Sequence, residues 1–148
     1  MIRKRLYLRK YDWVVHTYFA VSNYYVDEIM RKLLQLDCDD NTAEKAYKNM
    51  SSEKLNNGLC YSNLKLKESV LVVAKTTSAS EFANSLHHEL VHLQSHIAKR
   101  YNLNPLGEEV AYLSGEIMLK LYPYVAHLLC DCCRKKGNNG KIRNVRYN

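Results

Sequence analysis

Histidines stand at positions 88 and 92 with a glutamate between them, in the run His88-Glu89-Leu90-Val91-His92. Residues four apart on a helix lie about 40° from each other around the axis, so both imidazoles reach one point in space. Neutral imidazole is a common transition-metal ligand, and a pair at this spacing chelates. Glu89 lies beside the pair, placed to take a proton from a metal-activated water without ligating the metal itself. The chain has 6 histidines in 148 residues, and chance alone supplies roughly 0.014 such patterns. Leu86, Leu90, Leu93 and Ile97 form the apolar stripe of this helix, and His88 and His92 fall on the far side of it.

Two histidines and a water leave a zinc ion one protein ligand short. His96 keeps the register, but on a straight helix it sits about 12 Å from His88 and does not converge on the same ion. Glu108 and Glu109, at the start of the next long helix, are the best candidates for a third ligand, and Glu116 is expected to lie too far along. Neighbours on a helix diverge by about 100°, so only one of the two glutamates can face the ion well. Periodicity leaves that choice open.

His88-Glu89-Leu90-Val91-His92 followed by Glu108-Glu109-Val110-Ala111-Tyr112 resembles the gluzincin branch of the zincin metallopeptidases. The resemblance covers residues 79–121. More loosely, the chain is similar to the short ImmA/IrrE-type peptidases and to small zincin-like proteins of phages and mobile elements. It implies one Zn2+ held by His88, His92 and a glutamate of the second helix. Aligning Ala111 with the family's small residue selects Glu108, with Glu109 the alternative. It also implies hydrolysis of a protein or peptide substrate with Glu89 as general base. Tyr112 stands where the family usually has Asp or Asn, in the contact that orients a zinc-bound histidine. Tyr112 is also a candidate for stabilising the oxyanion, together with Tyr122, Tyr124 and His127 by type. An extended substrate would pair with a strand edge within residues 59–75.

These residues need a scaffold. Residues 5–10 and 12–21 read as two strands, possible partners in a hairpin. Ser22 or Asn23 is expected to cap a helix running to about Leu36, followed by a loop over residues 37–41. Short helical pieces at residues 42–50 and 52–55 end at the Asn56-Asn57-Gly58 turn. Strands follow at residues 59–66 and 69–75, the second apolar enough to be central. The motif helix is expected from Ala79 to Tyr101. A last long helix is expected to start with Asn104 as N-cap and Pro105 in its first position. It should break at Tyr122-Pro123 and resume to about Arg134. Strands first and helices later give an α+β class: a minimal zincin-like domain over residues 1–135, with a small mixed or antiparallel sheet packed on the two long helices.

The formal charge of +7 is uneven. Residues 1–10 carry five basic side chains and no acid, residues 134–148 carry six and no acid, and the body between holds 11 basic against 15 acidic residues. Nucleic-acid binding by the folded body therefore has little support, and residues 136–148 read as a basic, flexible tail where such contact would sit. No run is long enough to cross a membrane, and charges at Arg9, Lys10 and Asp12 interrupt a signal-peptide pattern, so a cytoplasmic protein is expected. Five cysteines, with Cys130, Cys132 and Cys133 crowded together, make a poor disulfide framework and are read as reduced thiols. The competing functional class is a non-catalytic interaction module of a phage or mobile element, with a structural or vestigial zinc site.

Overall fold

The computed structural model describes residues 1–52 and 58–136. Strands β1 (Ile2–Leu8) and β2 (Trp13–Val21) are antiparallel neighbours joined through a single 3-10 turn, Arg9–Tyr11. Strand β3 (Leu59–Asn63) pairs antiparallel with β4 (Glu68–Ala74), and β4 runs parallel to β2. The order β1-β2-β4-β3 makes a mixed sheet with β4 inside and β3 at one edge. The run Val70 to Ala74 is buried on both faces, as a central strand requires.

The two faces carry different cores. Trp13, Val15, Phe19, Leu71 and Val73 pack under helices α3 (Ala79–Tyr101) and α4 (Glu108–Val125), whose inward residues include Phe82, Leu86, Leu93, Leu113 and Ile117. Tyr18, Val21, Val70 and Val72 pack under α1 (Val26–Gln35) and α2 (Asp40–Ser51). The sheet thus lies between two helical layers, in an α+β architecture. A bulge at Ala20 (φ 54°) shifts β2 by one residue and puts Val21 on the same face as Tyr18.

Several boundaries differ from the sequence reading. The first strand lies earlier, at Ile2–Leu8, and residues 9–11 turn instead of extending. Ser22 makes no side-chain cap; its carbonyl accepts from Tyr25 N–H in a 3-10 turn, and α1 starts only at Val26. The expected loop at residues 37–41 is shortened, because the Asp39 carboxylate accepts from Thr42 N–H and starts α2 at Asp40. Asn104 is not the cap of α4. Its side chain accepts from Leu106 N–H and its carbonyl from Gly107 N–H, so Asn104 and Pro105 build a turn and Gly107 is the N-cap. Pro123 does not break α4, which runs on to Val125. The proline lies in the last turn, and Leu119, whose carbonyl it leaves free, is solvent-exposed, so the lost bond faces water. A 3-10 turn (Ala126–Leu128) and α5 (Asp131–Lys136) follow.

Ser52 is extended, while the rest of the helical piece expected at residues 52–55, the turn residues 56–57 and the tail residues 137–148 lie outside the described residues. Among the described residues no helix is long and apolar enough to cross a membrane.

Candidate metal centre

Helix α3 carries the motif and is fixed at both ends. Ser78 Oγ accepts from Glu81 N–H, and the Glu81 carboxylate reaches back to Thr77 N–H. Asn102 closes the other end in the left-handed conformation. Between these caps, Leu86, Leu90, Leu93 and Ile97 are buried, and His88 and His92 are exposed. Their rings meet edge to face with centroids 4.9 Å apart, and the two Nε2 atoms are 3.2 Å apart.

Glu89, about 100° round the helix from His88 and about 60° from His92, points towards the entry to β3 and is 5% exposed. Burial raises its carboxyl pKa, and the neighbouring His88 and His92 partly oppose that shift. Gly58 lies directly over it: a Cβ there would fall 2.4 Å from Glu89 Cγ. Only glycine lets the chain entering β3 pass so close. The turn signal at Asn56-Asn57-Gly58 drew attention to this glycine for its backbone freedom, and its packing role had no sequence signal.

His96, one turn beyond His92, stacks on it at 6.4 Å and faces β3. Its Nδ1 is 2.8 Å from Ser62 Oγ, which is 2.7 Å from Ser69 Oγ, which accepts from the buried Trp13 indole N–H at 2.8 Å. The indole only donates, so protons directed Trp13 to Ser69, Ser69 to Ser62 and Ser62 to His96 satisfy every hydroxyl and leave the His96 proton on Nε2. Burial lowers the His96 pKa, with His92 and Lys99 adding to the shift. Sequence reading noticed the His96 register but had no means to pair it with a serine 34 residues away.

Glu108 and Glu109 are both exposed on the first turn of α4, and Tyr112 is 73% exposed on the same helix. Glu89 is close enough to the histidine pair to feel its charge, but among the described residues none of Glu89, Glu108 and Glu109 joins the two histidines in a group within 4.8 Å. Among the described residues, only Cys130, Cys132 and Cys133 bring three metal-ligating side chains within 4.8 Å of one another. Topology supplies the reason. Helix α4 packs over β1, whereas β3 is the opposite edge of the sheet, so α4 and β3 flank α3 from opposite sides. The stacking of His92 on His96 turns the histidine pair towards the β3 flank.

The thiol group of three forms a separate cluster at the start of α5 and could hold a metal ion. Cys130 and Cys132 Sγ are 2.8 Å apart, and Cys132 and Cys133 are 3.9 Å apart. Hydrogen bonds from the Cys132 thiol and from the Cys133 and Cys132 backbone N–H groups lower the Cys130 pKa to about 7. No protein-family model, no curated protein and no solved structure matches this chain, so the gluzincin likeness rests on the motif residues themselves.

Proposed function

We propose that the chain is a zinc-dependent peptidase in which His88 and His92 hold the ion and Glu89 is the general base. The observation that carries this assignment is the 3.2 Å separation of the two Nε2 atoms. Nitrogens bound tetrahedrally at zinc–ligand distances of 2.0–2.1 Å stand about 3.3 Å apart, so the pair is already spaced for one ion. Zinc in such a site supplies Lewis acidity towards water and carbonyl groups.

The remaining chemistry belongs to the chain. Glu89 sits in a dry niche beside the pair, where its raised pKa makes it a better proton acceptor than an exposed carboxylate. It takes the proton of the attacking water and passes it to the leaving amine. The outer strand β3 lies beside Glu89 and offers an edge to which an extended peptide can add. On the gluzincin likeness the third donor would be Glu108, with Glu109 as the alternative, and Tyr112 the oxyanion group; the structure gathers neither glutamate with the pair, so on this reading α4 must draw closer when the ion binds.

Metal-replete protein should contain close to one equivalent of zinc at the histidine pair, and Glu89→Gln should keep it while losing peptide hydrolysis. Full retention of that zinc in a His88→Ala, His92→Ala double variant would refute the site, and unchanged turnover in Glu89→Gln would remove the base. A second reading, an interaction module with a vestigial zinc site, is favoured by the gathering of only two histidine donors among the described residues. Zinc binding with no hydrolysis by the wild-type chain across a broad peptide library would select it.

A further inference from the structure

The chain leaves α4 through a 3-10 turn and enters α5 at Cys130-Asp131-Cys132-Cys133. Three observations set this segment apart from a chance run of thiols. All three sulfurs lie within 4.8 Å of one another. The segment is clamped to the entrance of α3: the Asp131 carboxylate accepts from Ala79 N–H at 2.8 Å, and Arg134 donates to the Thr76 carbonyl and to the Leu128 carbonyl. The cluster is also open to solvent, with Cys132 and Cys133 exposed and Cys130 partly so, which leaves an ion an entry path.

We propose that Cys130, Cys132 and Cys133 form a second metal site, independent of the histidine pair, that binds one soft monovalent ion of the Cu(I) class through three thiolates. Sulfurs sharing one ion at metal–sulfur distances near 2.3 Å stand about 3.8–4.0 Å apart. Cys132 and Cys133 already have that separation at 3.9 Å. Cys130 and Cys132, at 2.8 Å, need to part by about 1 Å, which rotation of side chains open to solvent supplies. Thiolate selects soft ions. No fourth His, Cys, Asp or Glu donor joins the group among the described residues, and zinc in a structural site demands four, whereas a three-thiolate set suits Cu(I). Binding displaces the thiol protons to solvent and changes no oxidation state.

The test is an anaerobic titration of the full, reduced chain with Cu(I) against a chromogenic Cu(I) chelator, in wild type and in the His88→Ala, His92→Ala background. One equivalent should bind in both, with an ultraviolet thiolate-to-metal band. Zinc added to the double variant should bind at least tenfold more weakly than Cu(I). Cys132→Ser should weaken Cu(I) at least tenfold, and the Cys130, Cys132, Cys133 triple serine variant should lose the band while keeping its circular dichroism. Three results would overturn the site: no thiolate band in the reduced wild type; a band that survives in the triple variant, which still has Cys38 and Cys60; or Cu(I) binding lost with the histidines. The absence of a thiolate band in the wild-type titration refutes the site without any variant having to fold.

Discussion

Alanine at Gly58 tests the link between the strand entering the sheet edge and the base of the motif. The added Cβ would meet Glu89 Cγ at 2.4 Å, Glu89 Cδ at 2.8 Å and the Val72 carbonyl oxygen at 2.6 Å. Carbon atoms in good contact stand about 3.5–4.0 Å apart, so the overlap exceeds about 1 Å. Val72 cannot yield, because it is paired with Tyr18 of β2 on one side and Leu59 of β3 on the other. Glu89 is packed under the same strand. The entry to β3 must lift, or Glu89 must swing out, by about 1 Å, and overpacking of that kind costs about 1–3 kcal/mol. For a chain of this length that is a fall of about 3–10 °C in Tm. If Glu89 is the base, a 1 Å displacement also lowers kcat by about 100-fold. Gly115→Ala is the matched control: it lies inside α4 with nothing within 4 Å of an added Cβ, and removing a helical glycine there should stabilise by about 0.5–1 kcal/mol. Thermal and urea unfolding of the two variants give the comparison. A Gly58→Ala chain as stable as wild type, or stabilised like the control, refutes the packing argument.

Two further outcomes follow from backbone strain and from a buried ring. Ala20 holds φ 54° at the β2 bulge, a conformation that costs a residue with a Cβ about 1–2 kcal/mol, so Ala20→Gly should be neutral or raise the unfolding free energy in urea by up to about 1 kcal/mol; a clear destabilisation would show that the methyl is needed for packing. The His96 pKa is lowered in the folded chain, so the unfolded chain takes up its proton first as pH falls from the ordinary value of 6.5. Its contribution is intact above that value and is lost as pH drops through the folded one, giving denaturant stability that declines from pH 7.5 towards 5. His96→Gln should flatten the part of that slope lying above the carboxylate range, and an unchanged slope would place the titration elsewhere.

The extent of the motif helix was legible in outline, because a small polar entrance over residues 76–80 and an asparagine-bearing exit bound it; the serine–glutamate cap and the left-handed asparagine that fix its two ends emerge from the structure. The central strand was equally plain, since a chain buried on two faces has no polar phase. The start of α4 was misread because Asn104-Pro105 satisfies a turn as readily as a helix cap, and only tertiary contacts choose between them. The second helical layer was hidden for a related reason: the apolar face of α1 announces burial without saying which side of the sheet receives it. At the site, the two histidines and Glu89 came from spacing within one helix. Gly58, Ser62 and Ser69 did not, because their roles depend on the register between β3, β4 and α3, which no local pattern encodes. The expected carboxylate from α4 likewise depended on which flank of α3 that helix occupies.

The hydrogen-bond relay from Trp13 to His96 gives the molecule an optical readout. Trp13 is the only tryptophan, fully buried, and its indole proton is engaged by Ser69 at the inner end of the relay. His96, at the outer end, stacks on His92. An event that alters the polarity of that outer imidazole, whether protonation or a charge placed on the adjacent histidines, should pass through two hydroxyls to the environment of a single fluorophore. Intrinsic emission is therefore expected to report on the histidine face without a label, and Ser62→Ala should silence that report while leaving the fluorophore buried.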